Sequence, residues 1–75
     1  MKVFTLLTDG DNCPAEVSVY RTEDDARAAL VIALERSGAR RGEDGHPLTA
    51  QSNSELAHIW EQLMDGMCSI EEHTL

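Results

Sequence analysis

Hydrophobic spacing changes period along this chain, and the order of the changes limits the folds open to it. Lys2–Thr8 (KVFTLLT) is rich in β-branched and aromatic residues and runs into a cluster of turn formers. Glu16–Arg21 (EVSVYR) alternates, with Val17 and Val19 on one face and Ser18 and Tyr20 on the other. Two short strands around Asp-Gly and Pro signals read as a hairpin, and its connection is longer than a two-residue turn. After Thr22 the period becomes helical: Ala26, Ala29, Leu30, Ala33 and Leu34 form one stripe, widened by Val31 and Ile32. Leu56, Ile59, Trp60 and Leu63 repeat the pattern at i, i+3, i+4, i+7. Met67–Thr74 (MCSIEEHT) returns to alternation, with Cys68 and Ile70 expected inward and Ser69 and Glu71 outward.

Local signals place the ends of these elements. Thr22-Glu-Asp-Asp25 resembles a capping box with an acid at the third helical position, and Gly38 is the expected C′ residue. Ser52-x-x-Glu55 begins the second helix and Gly66 is expected to stop it. Between the helices, Ala39–Gln51 (ARRGEDGHPLTAQ) reads as a flexible loop carrying the basic pair Arg40–Arg41, expected to pair with Glu43 and Asp44. The order ββααβ implies an α+β domain: a three-stranded, mainly antiparallel sheet packed on one face by two helices. The outer face of that sheet is expected to show Thr5, Ser18, Tyr20, Ser69 and Glu71. The partner of the third strand stays open.

Seventy-five residues make one domain, 1–75, close to the lower limit for a self-supporting core. Little room is left for a deep substrate cavity. The charge is lopsided. Residues 1–42 carry seven acids against six bases, whereas residues 43–75 carry seven acids and no Lys or Arg. Direct binding to nucleic acid or to anionic membranes is disfavoured, because both depend on Lys and Arg. A basic partner is favoured. "MKVFTLL" has one charge and too short an apolar run for a secretory leader, and no stretch of ~18 apolar residues is present. The expectation is a chain in the cytoplasm of a bacterial host, with Cys13 and Cys68 as reduced thiols.

Chemistry that would need a built site finds little support. Read as a calcium loop, Asp9–Tyr20 puts Cys13, Pro14 and Tyr20 where a ligand, a glycine and a bidentate Glu belong. His46, His58 and His73 lack metal-ligand spacing, and Cys68 and His73 fall on opposite strand faces. Cys13 has no cationic neighbour in sequence to make a thiolate, and Asp24–Asp25 or Glu71–Glu72 lack a cleft to split their pKa values. No catalytic residue, metal or cofactor is therefore expected. Trp60 reads as a core anchor and Tyr20 as an interface aromatic.

Val17–Leu34 (VSVYRTEDDARAALVIAL) and Cys68–Leu75 (CSIEEHTL) resemble small uncharacterised bacterial and mobile-element proteins with a hairpin, a capped helix and a C-terminal strand. That resemblance implies the fold and no activity. In size and acidity the chain also resembles phage- or plasmid-encoded inhibitors of the anti-CRISPR type. This implies a non-enzymatic protein that blocks a basic nucleic-acid-binding surface of a larger complex. The resemblance carries over no site residue. The distribution of acids and the strand alternation point to Glu55, Glu61, Asp65, Glu71 and Glu72, with Asp24, Asp25 and Tyr20, as the partner-binding residues, and a monomer is expected over a homodimer. The rival expectation is a structural or regulatory module, homodimeric through a sheet edge or the outer face.

Overall fold

The computed structural model describes every residue except Asn12, and every side chain except those of Asn12 and Cys13. The expectations for the hairpin tip at Asn12 and for the Cys13 thiol therefore lie outside the described residues. The elements run β1 (Lys2–Gly10), β2 (Cys13–Tyr20), α1 (Glu23–Arg36), a short 3₁₀ turn (Leu48–Ala50), α2 (Asn53–Met64) and β3 (Cys68–Thr74). This is the ββααβ order of an α+β domain, with three antiparallel strands in one open sheet. β1 is central, so β3 pairs beside the first strand and the order is β2-β1-β3.

Both helix starts form as the caps require. Thr22 Oγ1 accepts from the Asp25 backbone N–H at 3.1 Å, and Ser52 Oγ accepts from the Glu55 N–H at 3.2 Å. Each such cap contributes about 1 kcal/mol by satisfying one of the orphan donors of a first turn. Gly38 takes φ +105° beyond the end of α1, the conformation in which a glycine is favoured. At α2 the left-handed residue is Asp65, φ 51°, and not Gly66. Gly66 has a different task. A Cβ there would overlap the Asp9 carbonyl oxygen and the Gly10 Cα, so glycine is what lets the α2–β3 connection lie against the end of β1.

The core forms between the inner sheet face and the helices, from Leu6, Leu30, Val31, Leu34, Leu48, Leu56, Trp60 and Cys68. Trp60 anchors it as expected, and its indole Nε1 donates to the Asp9 carbonyl at 2.8 Å. Leu48 joins the core from the loop, which has more structure than its composition suggests. Gln51, only 4% exposed, donates from Nε2 to Asp44 Oδ1 at 2.9 Å and to the His46 carbonyl at 3.2 Å. Gly42 packs directly over that amide. Ile32 and Leu63 depart from their stripes: both are exposed, at the margins of the buried faces of their helices.

The largest correction concerns β2. Leu6 faces the core and pairs with Ser18, so Ser18 and Tyr20 share the inner face while Val17 and Val19 point outward. The cause is a bulge. Thr8 pairs with Glu16 but Gly10 pairs with Cys13, so β2 spends one more residue than β1 over this interval. A one-residue shift moves every later side chain to the opposite face, and Pro14 sits in the bulged segment where its missing N–H is tolerated. Thr5, Ser69 and Glu71 do face outward, and Cys68 and Ile70 inward, as the alternation of β3 implied.

Replacing Gly66 with alanine is expected to lower stability by about 1–3 kcal/mol, the cost of forcing atoms into a packed junction. A urea midpoint indistinguishable from that of the parent chain would contradict the close approach.

Candidate functional site: an uncompensated acidic surface

Whether the carboxylates are free for a partner depends first on where the arginines go. Arg27 donates to Asn53 Oδ1 at 2.6 Å and to the Thr49 carbonyl at 3.4 Å. Arg40 reaches the Glu35 and Ala39 carbonyls, at 2.9 and 3.1 Å, at the negative end of α1. Arg41 donates to the Gly45 carbonyl at 2.9 Å. The expected pairing of Arg40 and Arg41 with Glu43 and Asp44 is therefore replaced by contacts to backbone carbonyls, which satisfy guanidinium donors without neutralising any carboxylate.

The acids that do find partners find weak ones. Lys2 Nζ lies 3.6 Å from Glu72, His58 Nε2 lies 3.4 Å from Glu43, and His73 Nε2 lies 3.9 Å from Glu71. All six side chains are well exposed, so these pairs contribute little. Asp44 accepts from the His46 backbone N–H and the Gln51 amide, which hold its carboxyl below the usual range.

The expected acidic residues do not form one continuous sheet. Glu23, Asp24 and Asp25 fill the first turn of α1, and Glu55 lies in the first turn of α2. The two helix starts lie side by side, because Asn53 Nδ2 donates to Glu23 Oε1 at 2.8 Å. The positive ends of both helix dipoles offset this group. Glu61 and Asp65 lie at the other end of α2, where the chain meets the hairpin. Asp11 donates its backbone N–H to the Met64 carbonyl at 3.1 Å, which brings its side chain beside Asp65. Glu71 is on the outer sheet face, away from the helices, and Glu72 is on the inner-facing side of β3 beside Lys2. Tyr20 is withdrawn from any outer surface, since it packs against the core from the inner face of β2.

At the hairpin corner, no ion pair among the described residues reaches Asp9, Asp11, Glu61 or Asp65. A hydrogen bond with Asp65 and the repulsion of its charge push the Asp11 carboxyl above its ordinary value, and Asp9 adds to the effect. Asp65 also stands at the C-terminus of α2, where the dipole is unfavourable to an anion. By sequence, Asp9 and Asp11 belong to the turn signals of the hairpin. Their meeting with Asp65 depends on the α2–hairpin contact, which sequence spacing does not reveal. Among the described residues, no three His, Cys, Asp or Glu groups are placed to hold a metal ion.

Other chemistry is muted. Burial pushes the Cys68 thiol up to about 11, so it stays protonated and unreactive at neutral pH. Two shallow grooves flank α1. One, of about 370 Å³, has Val31 and Ile32 with Asp24, Arg27 and Glu35 around them, and the other, of about 290 Å³, lies between Tyr20, Ser18 and Ala33. Neither is lined by a histidine or a cysteine. No helix among the described residues is long and apolar enough to cross a membrane. Comparison with known proteins finds no matching family, no matching curated protein and no matching solved structure.

Asp65→Asn tests the corner. The Asp11 carboxyl, whose folded pKa Asp65 raises, weakens the fold as pH rises through that value and costs nothing once it is protonated. The gain in melting temperature over the parent should therefore be larger at pH 7 than at pH 2.5. A pH-independent offset would report only the easier left-handed conformation of asparagine.

Proposed function

We propose that this chain is a non-enzymatic, acidic protein-binding inhibitor, of the kind encoded by phages and mobile elements, that acts in the bacterial cytoplasm. Its target is a basic nucleic-acid-binding surface on a larger protein or complex, as for an anti-CRISPR. The observation that supports this reading is the hairpin corner. Asp9, Asp11, Glu61 and Asp65 gather around the end of α2, while the guanidinium hydrogen bonds of Arg27, Arg40 and Arg41 are spent on neutral acceptors.

Such a corner presents closely spaced negative charges on a rigid frame, as a run of phosphates does. Lys and Arg side chains that bind a nucleic-acid backbone can bind it on the same terms. The acids at the helix starts, Asp24, Asp25 and Glu55, form a second negative pole on the same molecule. Complementarity of this kind acts mainly on the rate and selectivity of encounter. It also excludes nucleic acid itself as a direct ligand of these faces.

The test is capture from a bacterial lysate on the immobilised chain, followed by elution with salt. Nucleic-acid-binding proteins should be retained at low ionic strength and released as screening increases. The triple variant Asp11→Asn, Glu61→Gln, Asp65→Asn should bind the captured protein roughly tenfold or more weakly while keeping its circular dichroism. Affinity that ignores both salt and these substitutions would refute the proposal.

A further inference from the structure

The outer face of the sheet is a separate surface with a different chemistry. Its paired rows hold Val17, Leu7 and Ser69, then Val19, Thr5 and Glu71, then Val3 and His73. Val17 and Val19 are 65% and 63% exposed, unusually open for adjoining β-branched residues on one strand face. Both helices lie on the opposite face, and no described element covers this one. Of the eight side chains in these rows, Glu71 alone is a carboxylate, on a chain of net charge −8.

We infer that this face binds a second copy of the chain, forming a twofold sheet-on-sheet dimer. The charge distribution selects the occupant. A basic partner would find only Glu71 within these rows, with Asp9 following Leu7 at the hairpin margin of the face, whereas the other acids lie elsewhere and remain available to it. A second copy brings a surface of the same neutral, β-branched character. Repulsion between acidic faces is what favours a monomer, and within these rows Glu71 is the one carboxylate that contributes to it.

The registers define the packing. A twofold axis running across the strands at the level of Leu6, Ser18 and Ile70 sets β2 over β2 and β3 over β3 of the partner. Val17 then meets Val19, Leu7 meets Thr5, and the Glu71 carboxylate meets the Ser69 hydroxyl rather than another acid. The three strands offer roughly 300–400 Å² of sheet, from spacings of about 4.8 Å between strands and 3.4 Å per residue. That places the dimer among small, reversible interfaces. Stacked sheets sit ~10 Å apart, about one Debye length at 0.1 M salt, so added salt screens the remaining repulsion and tightens the dimer. Binding to a basic partner responds to salt in the opposite direction, which keeps this inference distinguishable from the proposed function.

The test is sedimentation equilibrium of the full chain, with reductant, from about 10 µM to 1 mM in 50 and 500 mM NaCl. The expected result is a monomer–dimer equilibrium that shifts toward dimer at high salt. Val17→Thr with Val19→Thr keeps the β-branching and should loosen the dimer roughly tenfold. Ser69→Glu, which sets two carboxylates face to face, should leave a monomer with unchanged circular dichroism. A monomer throughout the range would overturn the inference, as would a dimer indifferent to both sets of substitutions or an assembly that grows beyond two copies.

Discussion

The structure depends on one junction, where the end of α2 closes onto the end of β1. Trp60 donates its indole N–H to the Asp9 carbonyl, Asp9 donates its own N–H to the Met67 carbonyl, and Asp11 donates to that of Met64. Gly66 lets the two backbones touch. These contacts join residues more than fifty positions apart and fix the direction in which the chain leaves α2. β3 must then run down the free edge of β1 and cannot add to β2. A helix that buries Leu56 and Trp60 is thereby tied to the strand that buries Leu6, and the core closes around them.

The same junction concentrates negative charge. Backbone hydrogen bonds bring Asp11 to the C-terminal end of α2, and the left-handed turn at Asp65 places a second carboxyl beside it. Several other acids are placed where they cost little: Glu23, Asp24, Asp25 and Glu55 at the starts of helices, and Glu72, Glu43 and Glu71 opposite Lys2, His58 and His73. Arg27, Arg40 and Arg41 in turn bind neutral oxygens and secure the loop between the helices.

The sheet shows how a small local irregularity changes a large surface. Without the extra residue between Cys13 and Glu16, Leu6 would oppose Val17, the valines would enter the core and Tyr20 would face outward. With it, Tyr20 packs beneath α1, and the outer face becomes a field of valine, leucine and threonine. The outer face thus carries Val17 and Val19 where simple alternation would have put Ser18 and Tyr20.

What the sequence by itself determined is the set of elements. Apolar period, two side-chain caps and Gly38 specify two strands, two helices and a third strand, because each of these signals acts over four or fewer residues. The buried roles of Leu56, Trp60 and Cys68 were legible for the same reason. Tertiary structure alone decided which strand β3 joins, which face of β2 is buried, and which carboxylates meet. It also placed Leu48 and Gln51 in the interior, from a stretch whose glycines and proline suggest only a loop. Those choices depend on a one-residue bulge and on contacts between distant backbone atoms, and neither leaves a periodic trace in the order of the side chains.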